Sequence, residues 1–283
     1  MSEPPAVTGG RRLAFSLLIG SIGYVKTAAT AGGSGMNFNI LRFDSVESTN
    51  TEAANQARQG ADEGVCVVAR QQTAGRGRHG RNWVSEKDSG LYFSIVLRPE
   101  IATHFLPLIT LMTGVAVYDT LKEFGLKPDI KWVNDVLIGE KKISGILAET
   151  VETTRGLAIV VGIGINLMNS NFSDEIADTA TSIEAVLSVP GATATWDLEA
   201  TLTKYFTYWY AILNRENGPK ELLNEWQRRS SYFSGKNVRV TLANEAFEGV
   251  TDGVEENGAL RVIRPDGSVT IVQAGDVERL RSY

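Results

Sequence analysis

The chain contains one cysteine, Cys66, in 283 residues. A single thiol forms no internal disulfide and no cysteine-based zinc cluster, so neither device holds this fold together. Cys66 lies in the apolar run Val65-Cys66-Val67-Val68-Ala69, which reads as a buried strand in a protein of a reducing cytoplasm. Positive charge is also in short supply: 28 Lys and Arg against 33 Asp and Glu leave a formal charge of −5. A dedicated DNA or RNA binder carries the opposite balance, so no nucleic-acid partner is expected. Leu13 to Gly20, after Arg11-Arg12, faintly mimics the charged and apolar parts of a signal peptide. That run is too short to span a bilayer, so no membrane partner is expected either. Repeats and heptads are absent.

What remains is an ordinary globular composition, 43% hydrophobic, long enough for a main domain and a small second one. Residues 1–36 carry no convincing core pattern; Ala28 to Gly35 is small and flexible, and Met36 opens a well-patterned segment. The extension is therefore expected to be disordered, or translated from a start set too early. Strands are predicted at Asn39 to Asp44, Gly64 to Arg70 and Leu91 to Leu97. Thr49-Asn50-Thr51-Glu52 has the pattern of a capping box opening a helix that Gly60 ends. Apolar spacing predicts a helix from His104 to Phe124, with Pro107 in its first turn. Short runs follow at Asp129 to Val133, Val136 to Ile138, Lys142 to Val151 and Leu157 to Leu167. Tight turns separate them, so neighbours should pair antiparallel. Helices are predicted at Ser182 to Leu187, at Asp197 to Asn214, and from Pro219 to Arg229. After Gly235 come four short strands, Val238 to Leu242, Ala246 to Val254, Ala259 to Arg264 and Ser268 to Val272. Asn257-Gly258 and Asp266-Gly267 are hairpin dipeptides among them. Residues 37–233 thus form the main domain and 234–283 an all-β module, too small to rest on its own core and expected to pack on the main domain.

Four segments carry chemistry. Gln72 to Trp83 is rich in glycine and arginine: its backbone can close around a ligand, and its guanidinium forks match phosphate or carboxylate oxygens. Taken alone, it reads equally well as a solvated basic loop, and His79 as a surface residue. Lys131-Trp132-Val133-Asn134-Asp135 puts a cation at a strand end beside an amide and a carboxylate, although Asn-Asp is also good turn chemistry. Lys142 to Glu149 is apolar with one glycine at Gly145. Gly162-Ile163-Gly164 suggests a dinucleotide site, but no helix opens after it and no third glycine follows at the required spacing.

In this order the segments resemble one family, the biotin–protein ligases. The shared pattern is Ser48-Thr49-Asn50, then Gln-x-x-Gly-Arg-Gly-Arg-x-Gly-Arg-x-Trp from Gln72 to Trp83. Lys-Trp-x-Asn-Asp from Lys131, Lys-x-x-Gly-Ile-Leu from Lys142 and Gly-x-Gly-x-Asn from Gly162 complete it. The resemblance runs from about Asn39 to the C-terminus. It implies an α+β catalytic domain related to class II aminoacyl-tRNA synthetases, with a mixed, largely antiparallel sheet, followed by an SH3-like barrel. The residues before Met36 are too few to build the helix-turn-helix repressor domain that some members carry.

The activity implied is ATP-dependent formation of biotinyl-5′-AMP and transfer of biotin to a lysine of biotin carboxyl carrier protein, with Mg²⁺ accompanying ATP. By resemblance, Ser48, Thr49, Asn50 and Gln72 line the ureido pocket, with Arg76, Gly77, Arg78 and Lys131 also toward biotin. Arg76, Arg78 and Lys131 are the catalytic cations, Lys131 between the biotin carboxylate and the phosphate. Gly75, Arg81, Trp83, Asn134 and Asn166 fall to the nucleotide, with Gly75 to Arg81 as a lid. No protein metal ligand is assigned, and a homodimer is left open. A lipoate ligase of related fold and a non-catalytic regulator are the rival readings. The Gly-Arg-Gly-Arg-His-Gly-Arg loop and the C-terminal β module disfavour the first; the acidic charge disfavours the second.

Overall fold

The computed structural model describes residues 25–29, 36–168, 174–188, 195–273 and 275–279. The main sheet contains β1 (Val25–Ala29), β2 (Phe38–Phe43), β3 (Val65–Ala69), β4 (Gly90–Leu97), β5 (Pro128–Lys131), β6 (Asp135–Ile138), β7 (Lys141–Thr153) and β8 (Gly156–Asn166). Their order is β1-β2-β3-β4-β8-β7-β6-β5. Only β2 and β3 run parallel, because α1 (Thr49–Arg58) crosses over between them; the other neighbours are antiparallel. This is the mixed, largely antiparallel sheet expected of an α+β chain. β1 was not anticipated. It pairs with β2 from Val25↔Arg42 to Ala29↔Phe38, so part of the N-terminal segment belongs to the sheet. Residues 1–24 and 30–35 lie outside the described residues.

One face of the sheet carries α2 (Leu108–Glu123), with α5 (Thr195–Leu213) and α6 (Gly218–Gln227) packed on it; the other carries α1. The strands are apolar on both sides, as burial on two faces requires. Phe93, Ile95, Leu97, Ile159, Val161 and Ile163 face the larger core, whereas Val96, Ala158 and Val160 meet Ala53 and Ala57 of α1. Cys66 is fully buried, and burial pushes its thiol well above the usual range. The helix predicted from His104 begins later. A 3-10 turn, Thr103–Phe105, precedes Pro107, which stands at the N-cap, and the α-helix opens at Leu108. Proline has no N–H to carry a continuous helical ladder through that point. Two short helices, α3 (Asp174–Ala177) and α4 (Ile183–Leu187), follow β8.

The C-terminal module is a five-stranded antiparallel sheet of β9 (Ser234–Thr241), β10 (Ala246–Val254), β11 (Leu260–Ile263), β12 (Val269–Val272) and β13 (Asp276–Arg279). The order is β12-β11-β10-β9-β13, and β13 is a strand the sequence did not announce. Both hairpin dipeptides act as predicted, with Gly258 at φ 84° and Gly267 at φ 83°. The module packs on the main domain. Trp132 Nε1 donates to the Gly258 carbonyl at 2.9 Å, and the apolar core continues through Val238, Val240, Leu260 and Val262. Among the described residues no helix is long and apolar enough to cross a membrane.

Candidate active site

The cleft opens on the α1 face of the sheet, and side-chain alternation makes it. Along β4 the residues on that face run Val96, Ser94, Tyr92, Gly90; along β8 they run Ala158, Val160, Gly162, Gly164, Asn166. Apolar residues pack under the body of α1, then give way to small or polar ones at its N-terminal end, where Asn50 lies over Gly162. Gly162 leaves room for the Asn50 amide, which a Cβ would overlap. Gly145 and Gly164, paired across β7 and β8, make a flat floor for the Trp83 ring; a Cβ on Gly145 would lie 2.9 Å from Trp83 Cζ3. The Gly-x-Gly of β8 thus makes space for side chains rather than cradling phosphate at a helix start.

At one end the wall is polar. Ser48 is the N-cap of α1, but its side chain makes no capping bond. Gln72 takes that part instead: its Oε1 accepts from the Thr49 N–H at 2.8 Å and lies 3.1 Å from Thr49 Oγ1. The capping box read from the sequence is therefore replaced by a cap from a residue 23 positions away. Gln72 Nε2 donates to Ser85 Oγ at 2.7 Å. The Asn50 amide is occupied within the wall: Nδ2 donates to the Leu147 carbonyl at 3.1 Å and to Glu149 at 2.8 Å, and Oδ1 lies 2.7 Å from Ser94 Oγ.

Residues from Gly75 to Trp83 form a small hairpin. Gly77 N–H donates to Arg81 O at 2.7 Å and Trp83 N–H to Gly75 O at 2.9 Å, with His79 at φ 54° and Gly80 at φ 72° in the turn. Gly75 is buried behind the cleft. Each arginine has its own partner. Arg76 pairs with Glu149, and Arg81 with Asp276 of the C-terminal module. Arg78 donates to Asn134 Oδ1 at 3.1 Å and Gly275 O at 3.3 Å. Burial lowers the Arg78 pKa from its ordinary value, while Asp276 and Asp135 pull the other way.

At the opposite end two lysines flank one carboxylate: Asp135 lies 2.6 Å from Lys142 Nζ and 3.8 Å from Lys131 Nζ. Lys142 also sits over the Trp83 ring, 5.3 Å from its centroid. Asn134 holds the hairpin turn to β7, its Nδ2 donating to Ile146 O at 3.0 Å. Trp83, Lys131, Asp135 and Lys142 border a second compartment lined by Val84, Leu137, Ile176, Asn166 and Tyr232. The Trp83 indole N–H is buried and has no hydrogen-bond partner among the described residues. Asn166 Nδ2 donates to Thr181 O at 3.0 Å.

The structure thus gathers Ser48, Thr49, Asn50, Gln72, Arg76, Gly77, Arg78, Arg81, Trp83, Lys131 and Asn134 around one cleft, with Asn166 in the adjoining compartment and Gly75 behind the wall. The sequence missed Lys142, Asp135 and Asp276 as cleft residues, and Glu149 as the carboxylate that Asn50 and Arg76 share. Lys142, Asp135 and Glu149 lie inside the segments singled out, where hairpin pairing of β6 with β7 would have brought Lys142 toward Asp135. Nothing local marks Asp276.

Known proteins resemble the chain in sequence and in fold. A model of the biotin/lipoate A/B protein ligase family matches residues 42–166, and one of the biotin protein ligase C-terminal domain matches residues 233–280. The chain is 34% identical over 253 residues to the bifunctional ligase/repressor BirA of Bacillus subtilis, covering 86% of this chain and 74% of that protein. It is 31% identical over 237 residues to the biotin--[acetyl-CoA-carboxylase] ligase of Paracoccus denitrificans, covering 81% and 96%. The biotin protein ligase of Aquifex aeolicus in complex with biotin and ATP superposes with a TM-score of 0.74 at 27% identity, covering 86% of this chain and 99% of that one. The chain belongs to the biotin protein ligase family.

Proposed function

We propose that this protein activates biotin with ATP to biotinyl-5′-AMP and then transfers the biotin to a lysine of biotin carboxyl carrier protein. The observation that carries the proposal is one cleft with a polar wall at one end and Arg78, Lys131 and Lys142 at the other. Biotin offers a ureido ring to the first and a carboxylate to the second. In the first step a carboxylate oxygen attacks the α-phosphorus, a mixed anhydride forms, and pyrophosphate leaves. Two anions must meet, so the chief cost is electrostatic, and cations fixed beforehand lower it. Lys131 and Lys142, held by Asp135, are suited to that task. The Trp83 ring separates the polar wall from the second compartment, which suits the nucleotide. In the second step the carrier amine attacks the acyl carbon, AMP leaves, and a proton is released. Orientation is the main contribution the ligase makes there.

Among the described residues no three His, Cys, Asp or Glu side chains gather into a metal cage. A Mg²⁺ ion accompanying ATP would be held mainly by phosphates and water, and Asp135, the carboxylate beside both lysines, would be the side chain at hand for it. The ion would add positive charge at the triphosphate. The same proposal takes 37–233 as a catalytic domain of the class II aminoacyl-tRNA synthetase type and 234–283 as an SH3-like module. Incubation with ATP, Mg²⁺, biotin and a carrier domain, read by intact mass, should add one biotin to the carrier. Pyrophosphate exchange driven by lipoate and not by biotin would overturn the assignment.

A further inference from the structure

Glu149 lies on β7, on the same face as Gly145 and Leu147 and opposite Val160 of β8. It does not line the cleft, yet two residues that do converge on one of its oxygens. Oε2 accepts from Asn50 Nδ2 at 2.8 Å and pairs with Arg76 of the glycine-rich hairpin. One carboxylate therefore ties α1, β7 and the hairpin together.

Proton direction gives this contact a consequence for the wall. Leu147 O and the Glu149 carboxylate accept only, so they take both Asn50 Nδ2 protons and leave Oδ1 facing Ser94. Asn50 Oδ1 also only accepts, so the buried Ser94 hydroxyl must donate to it. Ser94 Oγ lies 2.8 Å from Thr49 Oγ1 and has then spent its proton. The Thr49 hydroxyl, 2.8 Å from Ser94 Oγ and 3.1 Å from Gln72 Oε1, gives its own proton to one of these two acceptors within the wall. Gln72 Oε1 also accepts from the Thr49 backbone N–H at 2.8 Å. What Thr49 has left for the cleft is a lone pair, an acceptor suited to a ureido N–H.

We infer that Glu149 is a positioning residue: it sets the hydrogen-bond direction of the polar wall through Asn50 and anchors the glycine-rich hairpin through Arg76. The inference rests on the proposed ligase reading. Glu149→Gln tests the anchor, because the amide oxygen can still accept from Asn50 while the ion pair with Arg76 is gone. Glu149→Ala removes both contacts. The full-length chain is assayed by biotin-dependent pyrophosphate exchange and by the release rate of biotinyl-adenylate. Glu149→Gln should raise the KM for biotin and speed release by about three- to fivefold, the scale of a half-exposed ion pair. Its kcat at saturating biotin should stay within about twofold of wild type. Glu149→Ala should raise the KM further. In combination with Arg76→Ala, Glu149→Gln should add nothing, since both remove one contact. Wild-type KM and release rate in Glu149→Gln, or effects that multiply in the double variant, overturn the inference. A KM left unchanged while kcat falls overturns it as well. A wild-type protein with no biotin-dependent exchange would instead remove the ligase reading itself.

Discussion

At the residue scale, the cleft shows how a side chain's meaning depends on what it is already bonded to. Asn50 and Thr49 are adjacent in sequence, but the Asn50 amide is consumed inside the wall, whereas Thr49 can still turn a lone pair to the cleft. Lys131 and Lys142 share Asp135, which keeps two cations beside each other without their mutual repulsion dominating. Lys131→Ala should lower pyrophosphate exchange by about 10²–10³-fold, the usual loss when one pre-placed charge is removed from a transition state. Its melting temperature should stay close to wild type, because the Lys131 ammonium is 3.8 Å from its carboxylate partner and contributes little to the fold. Exchange within two- or threefold of wild type would show that Lys142 alone carries the charge.

At the scale of elements, the glycine-rich hairpin is a strap with an anchor at each arginine. Arg78 is the central one, reaching Asn134 of the main domain and Gly275 of the module together. Arg78→Ala should loosen the strap and let biotinyl-adenylate escape. Hydrogen bonds from a charged donor are worth about 1.5–3 kcal/mol, or about ten- to a hundredfold in retention. Labelling of an unrelated lysine-rich protein, mixed with ATP, biotin and the variant, measures the leak; labelling equal to wild type would deny the strap its role. The N-terminal strand β1 makes a contrasting case. It borders β2 at the sheet edge, far in strand order from β7 and β8, and every motif follows Met36. Removal of residues 1–35 should leave carrier biotinylation intact, and a folded truncation without that activity would contradict this.

At the scale of the whole molecule, the C-terminal module closes the cleft rather than trailing from it. Gly275, Asp276 and Val277 line the cleft, and Gly258 accepts from Trp132, the neighbour of Lys131. Gly258 holds φ 84°, and a Cβ there would lie 2.7 Å from Leu111 Cδ1 and 2.9 Å from Leu108 Cδ2. Gly258→Ala should therefore lift the module from α2, at a cost of about 1–3 kcal/mol from strain and overpacking. Both melting temperature and exchange activity should fall together. Trp132→Phe, which loses only the N–H···O bond, should cost about 1 kcal/mol. If Gly258→Ala melts like wild type, the module does not bear on α2 as described.

Much of this architecture was legible in the sequence because its signals are local. Continuous apolar runs marked the interior strands, tight turns implied antiparallel neighbours, and Asn257-Gly258 and Asp266-Gly267 marked hairpins by the φ they allow. The motif residues were also readable as a set, since each sits in a short stretch of unusual composition. Tertiary structure alone decided the rest. Gln72 rather than Ser48 caps α1, because the fold brings a distant amide to the helix end, and Pro107 moved the start of α2. β1 and β13 are edge strands whose pairing depends on partners elsewhere in the chain. Glu149 and Asp276 gain their roles only when β7 and the module meet the hairpin. Periodicity and turn chemistry act within a few residues, whereas an ion pair across 73 or 195 positions exists only after the chain has folded.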